Sequence, residues 1–170
     1  MNPMREIRIE KLTLNVGAGT DQEKLKKGMK LLKNITGIEP VKTITDKRIP
    51  GWGVRPGLPI GCKITIRREH ARELLKRLLK AKDNRLPPGA FDSNGNVAFG
   101  IHEYIDIPGL EYDSAIGIIG FQVTITLSRP GHRVKYRKKL NRKLGKSHHI
   151  TQQDSMDYFK KEFNVTTEEE

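Results

Sequence analysis

Residues 60–82, IGCKITIRREHARELLKRLLKAK, decide the fold class, because a strand pattern passes directly into a helix pattern there. Ile60, Cys62, Ile64 and Ile66 alternate with glycine or polar residues, which is typical of a strand with one buried face. Apolar residues then recur every three or four positions, which predicts an amphipathic helix over residues 69–82. Its apolar face consists of Ala71, Leu74, Leu75, Leu78 and Leu79.

The same two periods recur on both sides of this stretch. Alternation predicts strands over residues 7–17, 40–45, 97–107 (with Ile105 on the apolar side) and 121–127. Helical spacing predicts a helix over residues 20–35, with a capping box of Thr20 and Glu23, and another from Thr151. We therefore expect an α+β fold: a mostly antiparallel sheet with helices packed on one face and an open polar face.

The expected organisation has three parts. Residues 1–128 form a single α+β domain, and residues 129–150 form a basic insertion. Residues 151–170 form a helix that packs back on the domain, followed by an acidic tail.

Charge is concentrated rather than scattered. The chain carries a net charge of +12, and no acidic residue stands between Asp113 and Asp154. Because a localised basic region suits a polyanion, this segment predicts a nucleic-acid-binding arm. Tyr136, Leu140 and Leu144 are spaced four apart, so a helix with a narrow apolar stripe is one possible structure for it. The arm's cations are Arg133, Lys135, Arg137, Lys138, Lys139, Arg142, Lys143 and Lys146, preceded by Arg129.

The polar side of the predicted sheet contains no carboxylate. Hydroxyl and amide groups donate and accept hydrogen bonds, and Lys and Arg bind phosphates, so this side is suited to RNA. The alternative is an ordinary solvated sheet face, since Thr favours strands in any case. The side is made of Lys11, Thr13, Asn15, Lys63, Thr65, Arg67, Gln122, Thr124 and Thr126.

A loop rich in Pro and Gly, residues 49–61, separates two of the strands. It carries Trp52, the only tryptophan, and Arg55. An exposed Trp52 would stack on a base, whereas the alternative is that Trp52 folds back into the core.

Several classes of protein are not supported by the sequence. No catalytic set of residues stands out, so we expect no enzyme and no cofactor. His148 and His149 fit a basic arm better than a metal site, and Cys62 lies on the apolar side of its strand. A single cysteine excludes an internal disulfide, and neither a membrane span nor a secretion signal is present, so we expect a cytoplasmic protein.

Five strings then carry a family resemblance: EKLTLNVGAG (10–19), ITGIEPVKT (35–43), GWGVRPGLPIGCKITIR (51–67), FDSNGNVAFGIHEYI (91–105) and TLSRPGHR (126–133). The chain resembles the ribosomal protein L-five family of the large subunit, which binds 5S ribosomal RNA. The basic insertion before the final helix is similar to the archaeal and eukaryotic branch.

The resemblance implies a structural ribosomal protein whose partners are 5S rRNA, 23S-type rRNA, transfer RNA in the peptidyl site and neighbouring large-subunit proteins. It implies that residues 49–61 form a mobile loop reaching that transfer RNA through Trp52 and Arg55. A free RNA-binding protein or RNA chaperone is the alternative function. The RNA-binding set is Lys11, Thr13, Asn15, Thr43, Lys47, Arg48, Lys63, Thr65 and Arg67.

Overall fold

The computed structural model describes residues 2–167, so the last three residues of the predicted acidic tail lie outside the described residues. The strands are β1 (Arg8–Gly17), β2 (Val41–Ile44), β3 (Pro59–Ile66), β4 (Val97–Ile101) and β5 (Phe121–Ser128). The helices are α1 (Gln22–Thr36), α2 (Arg68–Lys80), the four-residue α3 (Arg133–Tyr136) and α4 (Gln152–Phe163).

The strands form one five-stranded sheet in the order β2-β3-β1-β5-β4. The chain combines this antiparallel sheet with helices, so the predicted α+β class is confirmed. The chain divides into two compact units, which are described separately. We call residues 13–66 and 100–123 the strand unit, and residues 2–12, 67–99 and 124–167 the arm unit.

Within the strand unit, α1 packs against the apolar sides of β1 and β3. Gly28 permits the approach: a Cβ there would lie 2.9 Å from Val16 Cγ1 and 3.3 Å from Cys62 Sγ. Gly37 ends the helix with a positive φ of 71°, as the sequence predicts. The N-cap differs from the prediction, because the side chain of Asp21, rather than Thr20, accepts hydrogen bonds from the Glu23 and Lys24 amides.

Within the arm unit, α2 buries the five apolar residues that the sequence predicts. The final helix, α4, begins with a capping box of Thr151 and Asp154. Phe159 meets Phe91 edge to face, with ring centroids 5.8 Å apart, so aromatic packing holds α4 in its unit.

Two predicted elements were wrong in extent or kind. The strand expected over 97–107 stops at Ile101, and a short helical turn (Tyr104–Asp106) follows. That turn breaks the alternation: Tyr104 is buried, its hydroxyl accepts a hydrogen bond from the Asp113 amide at 2.8 Å, and Ile105 is exposed. The possible arm helix with an apolar stripe does not form, and both Tyr136 and Leu140 are exposed.

Candidate nucleic-acid interface

One side of the strands in the strand unit is uncovered and polar. It carries Thr13 and Asn15 of β1, Thr43 of β2, Lys63 and Thr65 of β3, and Gln122 of β5. We call these six residues the strand face. None contains a carboxylate, so phosphates meet no repelling side chain on these six residues.

The strand face is open because the helix lies on the other side of the same strands. Val16 and Cys62, the neighbours of Asn15 and Lys63 in sequence, are buried and contact α1. Because successive side chains of a strand point to opposite sides, Asn15 and Lys63 point away from α1. Thr13 and Asn15 are half-buried, whereas Lys63, Thr65 and Gln122 are exposed.

Two amide side chains meet on neighbouring strands of this face. The Asn15 Nδ2 group donates a hydrogen bond to Gln122 Oε1 over 3.4 Å. This contact turns the Asn15 amide toward Gln122. The Oδ1 atom of Asn15 accepts no hydrogen bond from the described residues. The pair therefore offers both donors and acceptors to a base edge or a sugar hydroxyl.

Pairing of β2 with β3 fixes the position of Thr43. Thr43 lies opposite Gly61, and Val41 lies opposite Lys63, in antiparallel register. A Cβ at Gly61 would lie 2.7 Å from the Val16 carbonyl oxygen and 3.0 Å from Thr43 Oγ1. Glycine at position 61 therefore lets Thr43 and the strands approach closely.

The remaining residues of the predicted RNA-binding set lie at the ends of strands or in the arm unit. Lys47 and Arg48 are exposed after β2, and the Lys47 amide is held by Thr45 Oγ1 at 3.3 Å. In the arm unit, Lys11 is half-buried on β1, while Arg67 is exposed just after β3 and is the N-cap residue of α2.

The loop of residues 49–61 contains a small hairpin. Ile49 and Val54 pair through two backbone hydrogen bonds of 3.0 and 3.1 Å, and Val54 is buried. The tip is a helical turn, Pro50–Trp52, closed by Gly53 at a φ of 64°. Trp52 is 73% exposed, so the alternative in which it folds into the core is wrong. Arg55 is exposed beside it in sequence.

The first residues of the basic arm (residues 129–150) contact its last residues. The Arg129 guanidinium donates to the His149 carbonyl oxygen at 3.1 Å and to Asp154 Oδ2 at 3.0 Å. His148 Nε2 lies 2.9 Å from the Pro130 carbonyl oxygen. We call these contacts the neck. Arg129 is therefore a structural cation that the sequence pattern did not separate from its neighbours.

Beyond the neck, the arm presents its charge to solvent. Its backbone contains only α3 and a short helical turn (Lys146–His148). The Lys135 ammonium lies 5.6 Å from the centroid of the Tyr136 ring. All eight cations predicted for this arm are exposed: Arg133, Lys135, Arg137, Lys138, Lys139, Arg142, Lys143 and Lys146.

Titratable groups at the neck and in the core have shifted pKa values. Burial, followed by the charge of His148, lowers the pKa of His132, whose ring lies edge to face with that of His148 at 5.8 Å. Burial alone would raise the pKa of Asp154, but hydrogen bonds from Thr151 and the Arg129 guanidinium lower it overall. Burial raises the pKa of the Cys62 thiol to about 11, which keeps it protonated and unreactive.

Two other features are absent from residues 2–167. Within that part of the chain, no group of three or more His, Cys, Asp or Glu side chains is arranged to hold a metal ion. The helices of the same part include none that is long and apolar enough to cross a membrane.

Comparison with known proteins gives a consistent result over almost the whole chain. Residues 2–55 match the family model described as Ribosomal protein L5, and residues 59–158 match the model for the C-terminus of that ribosomal family. Each of three archaeal relatives is named "Large ribosomal subunit protein uL5".

The relative from Sulfurisphaera tokodaii is 45% identical over 98% of this chain and 94% of its own length. The Nitrosopumilus maritimus protein is 45% identical, covering 97% of this chain and 95% of its own length. The Nanoarchaeum equitans protein is 46% identical, covering 96% and 97%.

Proposed function

Because this chain belongs to the ribosomal protein L5 family, we propose that it binds 5S rRNA through the strand face and uses the hairpin of residues 49–54 to contact transfer RNA in the peptidyl site. Membership makes the chain a component of the large ribosomal subunit, associated with ribosomal RNA and ribosomal proteins, and not an enzyme. Its cytoplasmic, ribosomal location follows from the same relatives.

The observation that carries the proposal is the uncovered strand face. A sheet normally buries its apolar side, and here α1 already covers that side, so the opposite side is free for a large partner. Neutral hydroxyls and amides at fixed spacing suit the loops and sugar edges of a folded RNA, while Lys63 and the nearby Lys47 suit its phosphates.

The hairpin supports the second part of the proposal. Trp52 offers a large aromatic face to solvent at the tip of a turn anchored by buried Val54. Such a residue can stack on a base or a sugar, and exposed Arg55 can bind a phosphate. Attachment of 5S rRNA to 23S-type rRNA in the central protuberance is assigned to the exposed cations of the basic arm.

The direct test compares 5S rRNA with a size-matched transfer RNA in a gel-shift titration of the full chain at moderate salt. We expect preference for 5S rRNA. Replacing Asn15 or Thr65 with Ala should weaken 5S binding by about 1–3 kcal/mol each, because a partner group is left without its hydrogen bond.

A matched control is Thr20→Ala, an exposed threonine of the strand unit outside the strand face, which should bind as the unmodified chain does. Circular dichroism should show the same fold in all three variants. Equal affinity for the two RNAs would favour the general RNA-binding protein instead. Unchanged affinity of both strand-face variants would remove that face from the site.

A further inference from the structure

A small cavity lies under the basic arm, within the arm unit. It has a volume of about 210 Å³ and is bounded by Glu10 of β1, by Asn94 and Asn96 of the turn before β4, and by His132, Lys135 and Tyr136 of the arm. This volume is below the roughly 300 Å³ at which pockets for drug-sized molecules begin. The cavity therefore suits one flat ring system.

The cavity is rich in hydrogen-bond acceptors that have no donor. No described residue forms a hydrogen bond or an ion pair with the half-buried Glu10 carboxylate. The amide nitrogens of Asn94 and Asn96 donate to Asp92 Oδ2 at 3.4 and 3.3 Å, which leaves their Oδ1 atoms as acceptors. Glu10 and Asn96 are half-buried and Asn94 is exposed. Because these acceptors border the cavity without a protein donor, the arrangement suits a ligand that brings N–H groups.

Cationic and aromatic groups border the same cavity. Lys135 supplies a positive charge, and Tyr136, 63% exposed, offers a ring face at the edge of the cavity. His132 Nε2 is buried and has no hydrogen-bond partner in the described part of the chain. A bare phosphate would meet the Glu10 charge, whereas a base attached to a phosphate backbone would bring donors to Glu10 and its phosphates to the arm's cations.

We propose that this cavity binds a single guanine base unstacked from ribosomal RNA. Guanine is the base that matches both the acceptors and the cation of the cavity. Its N1–H and N2–H groups can donate in parallel to the two Glu10 oxygens, and its O6 atom can accept from Lys135. Tyr136 provides a ring on which the base or its neighbour stacks. The inference rests on the proposed RNA binding by the arm, and it adds a base preference to that binding.

The test uses pentaribonucleotides with a central guanine, inosine or uracil between uridines, measured by fluorescence anisotropy with the full chain. Their phosphates are identical, so differences in affinity report the central base. We expect the guanine pentamer to bind about tenfold more tightly than the all-uridine pentamer. Inosine, which lacks the N2 amino group, should lose most of that difference.

The Glu10→Gln variant has the same shape but replaces one carboxylate oxygen with an NH₂ group. It should lose the guanine preference while binding the all-uridine pentamer no more weakly. Glu73→Gln, an exposed position on α2, makes the same change in net charge away from the cavity and should keep the preference.

Absence of guanine preference in the unmodified chain, or its survival in Glu10→Gln, would overturn the inference. The inosine comparison needs no variant, so it decides the question even if Glu10→Gln folds poorly. Binding of 5S rRNA by the strand face is measured separately with the Asn15 and Thr65 variants, so failure at the cavity is distinguishable from failure of the proposed function.

Discussion

The strand face and the basic arm, both of which we propose to bind RNA, are two different kinds of surface. The strand face holds short, mostly neutral side chains on regular strands, and β-sheet pairing fixes their spacing. The arm holds eight exposed cations on a largely irregular backbone that is anchored at its neck. The first surface is suited to selecting one RNA shape, and the second, apart from the cavity beneath it, to attracting any RNA by charge.

This difference has a simple physical origin. A strand alternates buried and exposed positions, so burial of Val16 and Cys62 fixes the direction of their polar neighbours, Asn15 and Lys63. Lysine and arginine side chains are long and pay rotamer entropy when they are held in place. We therefore expect selectivity to follow the strand face and salt dependence to follow the arm.

The largest expected effect comes from neutralising the arm tip by changing its seven cations from Lys135 to Lys146 to Gln. Affinity for a large-subunit rRNA fragment should fall about a hundredfold or more at low salt, and the log–log salt slope should become shallower, because fewer counterions are released. The preference for 5S rRNA over transfer RNA should remain. Filter binding at several salt concentrations measures both quantities.

The matched control changes seven exposed lysines on helices to Gln: Lys24, Lys26, Lys27, Lys33, Lys76, Lys80 and Lys160. If this control loses as much affinity as the arm variant, net charge rather than the arm governs binding, and the contrast between the two surfaces fails.

Removing the guanidinium at the neck should have the next largest effect. Arg129→Gln deletes the bonds to His149 and Asp154, and we expect about 1–3 kcal/mol of lost stability in urea unfolding. Amides of the arm should also exchange faster with deuterium, while those of the strand unit should not. Arg133→Gln, an exposed cation of the same arm, is the control that should leave both measurements unchanged.

The Gly28→Ala variant tests the close packing of α1 against the strands that carry the strand face. Gly28→Ala brings a carbon to 2.9 Å from Val16 Cγ1, and overpacking of this kind costs about 1–3 kcal/mol. The better helix propensity of alanine offsets about 1 kcal/mol of this cost. We therefore expect the free energy of unfolding, measured in urea, to fall by up to about 2 kcal/mol. Lys27→Ala, exposed on the same helix, should be close to neutral. A stabilised Gly28→Ala chain would contradict the close packing.

The smallest expected effect is a pH dependence confined to the neck. Because the pKa of His132 is lowered in the folded chain, closure of the neck is favoured above the ordinary histidine pKa near 6.5 and weakens as the pH falls through it. The charged groups that act on His132 are His148, Glu10, Lys135 and His149.

The lowered pKa of Asp154 adds a second loss only near pH 4 and below, where that carboxylate becomes protonated. Arm amide exchange, expressed relative to the intrinsic exchange rate at each pH, should therefore rise between about pH 7 and 5 in the unmodified chain. The His132→Asn variant should show no such rise over that interval. An equal rise in the variant would remove His132 from the neck's pH response.

Periodicity predicted most of the fold. The alternation in β3 and β5 and the leucine spacing in α2 correctly identified buried positions, because burial on one side imposes these periods on any sequence. The end of β4 was missed, since Tyr104 leaves the strand period and satisfies its hydroxyl through Asp113, a partner nine residues away. A contact of that range leaves no local pattern.

The candidate site was predictable in part for the same reason. The alternation of apolar and polar residues predicted Asn15 and Thr65 on the polar side of their strands. It could not show that Gln122 accepts a hydrogen bond from the Asn15 amide. In the arm, nine cations look alike in sequence, and only the contact with Asp154 distinguishes Arg129 from the eight that face solvent. Glu10 likewise has no sequence signal, because its surroundings come from distant segments.

Because the neck is closed, the part of the basic arm beyond it can change length during evolution without disturbing the sheet. Since the chain departs and returns within hydrogen-bond distance, at Pro130 and His148, the contact that closes this loop does not depend on its length. Doubling such a loop costs only about 0.6 kcal/mol in closure entropy. Insertions and deletions between residues 137 and 143, outside the part of the arm that borders the cavity, should therefore be tolerated by the fold.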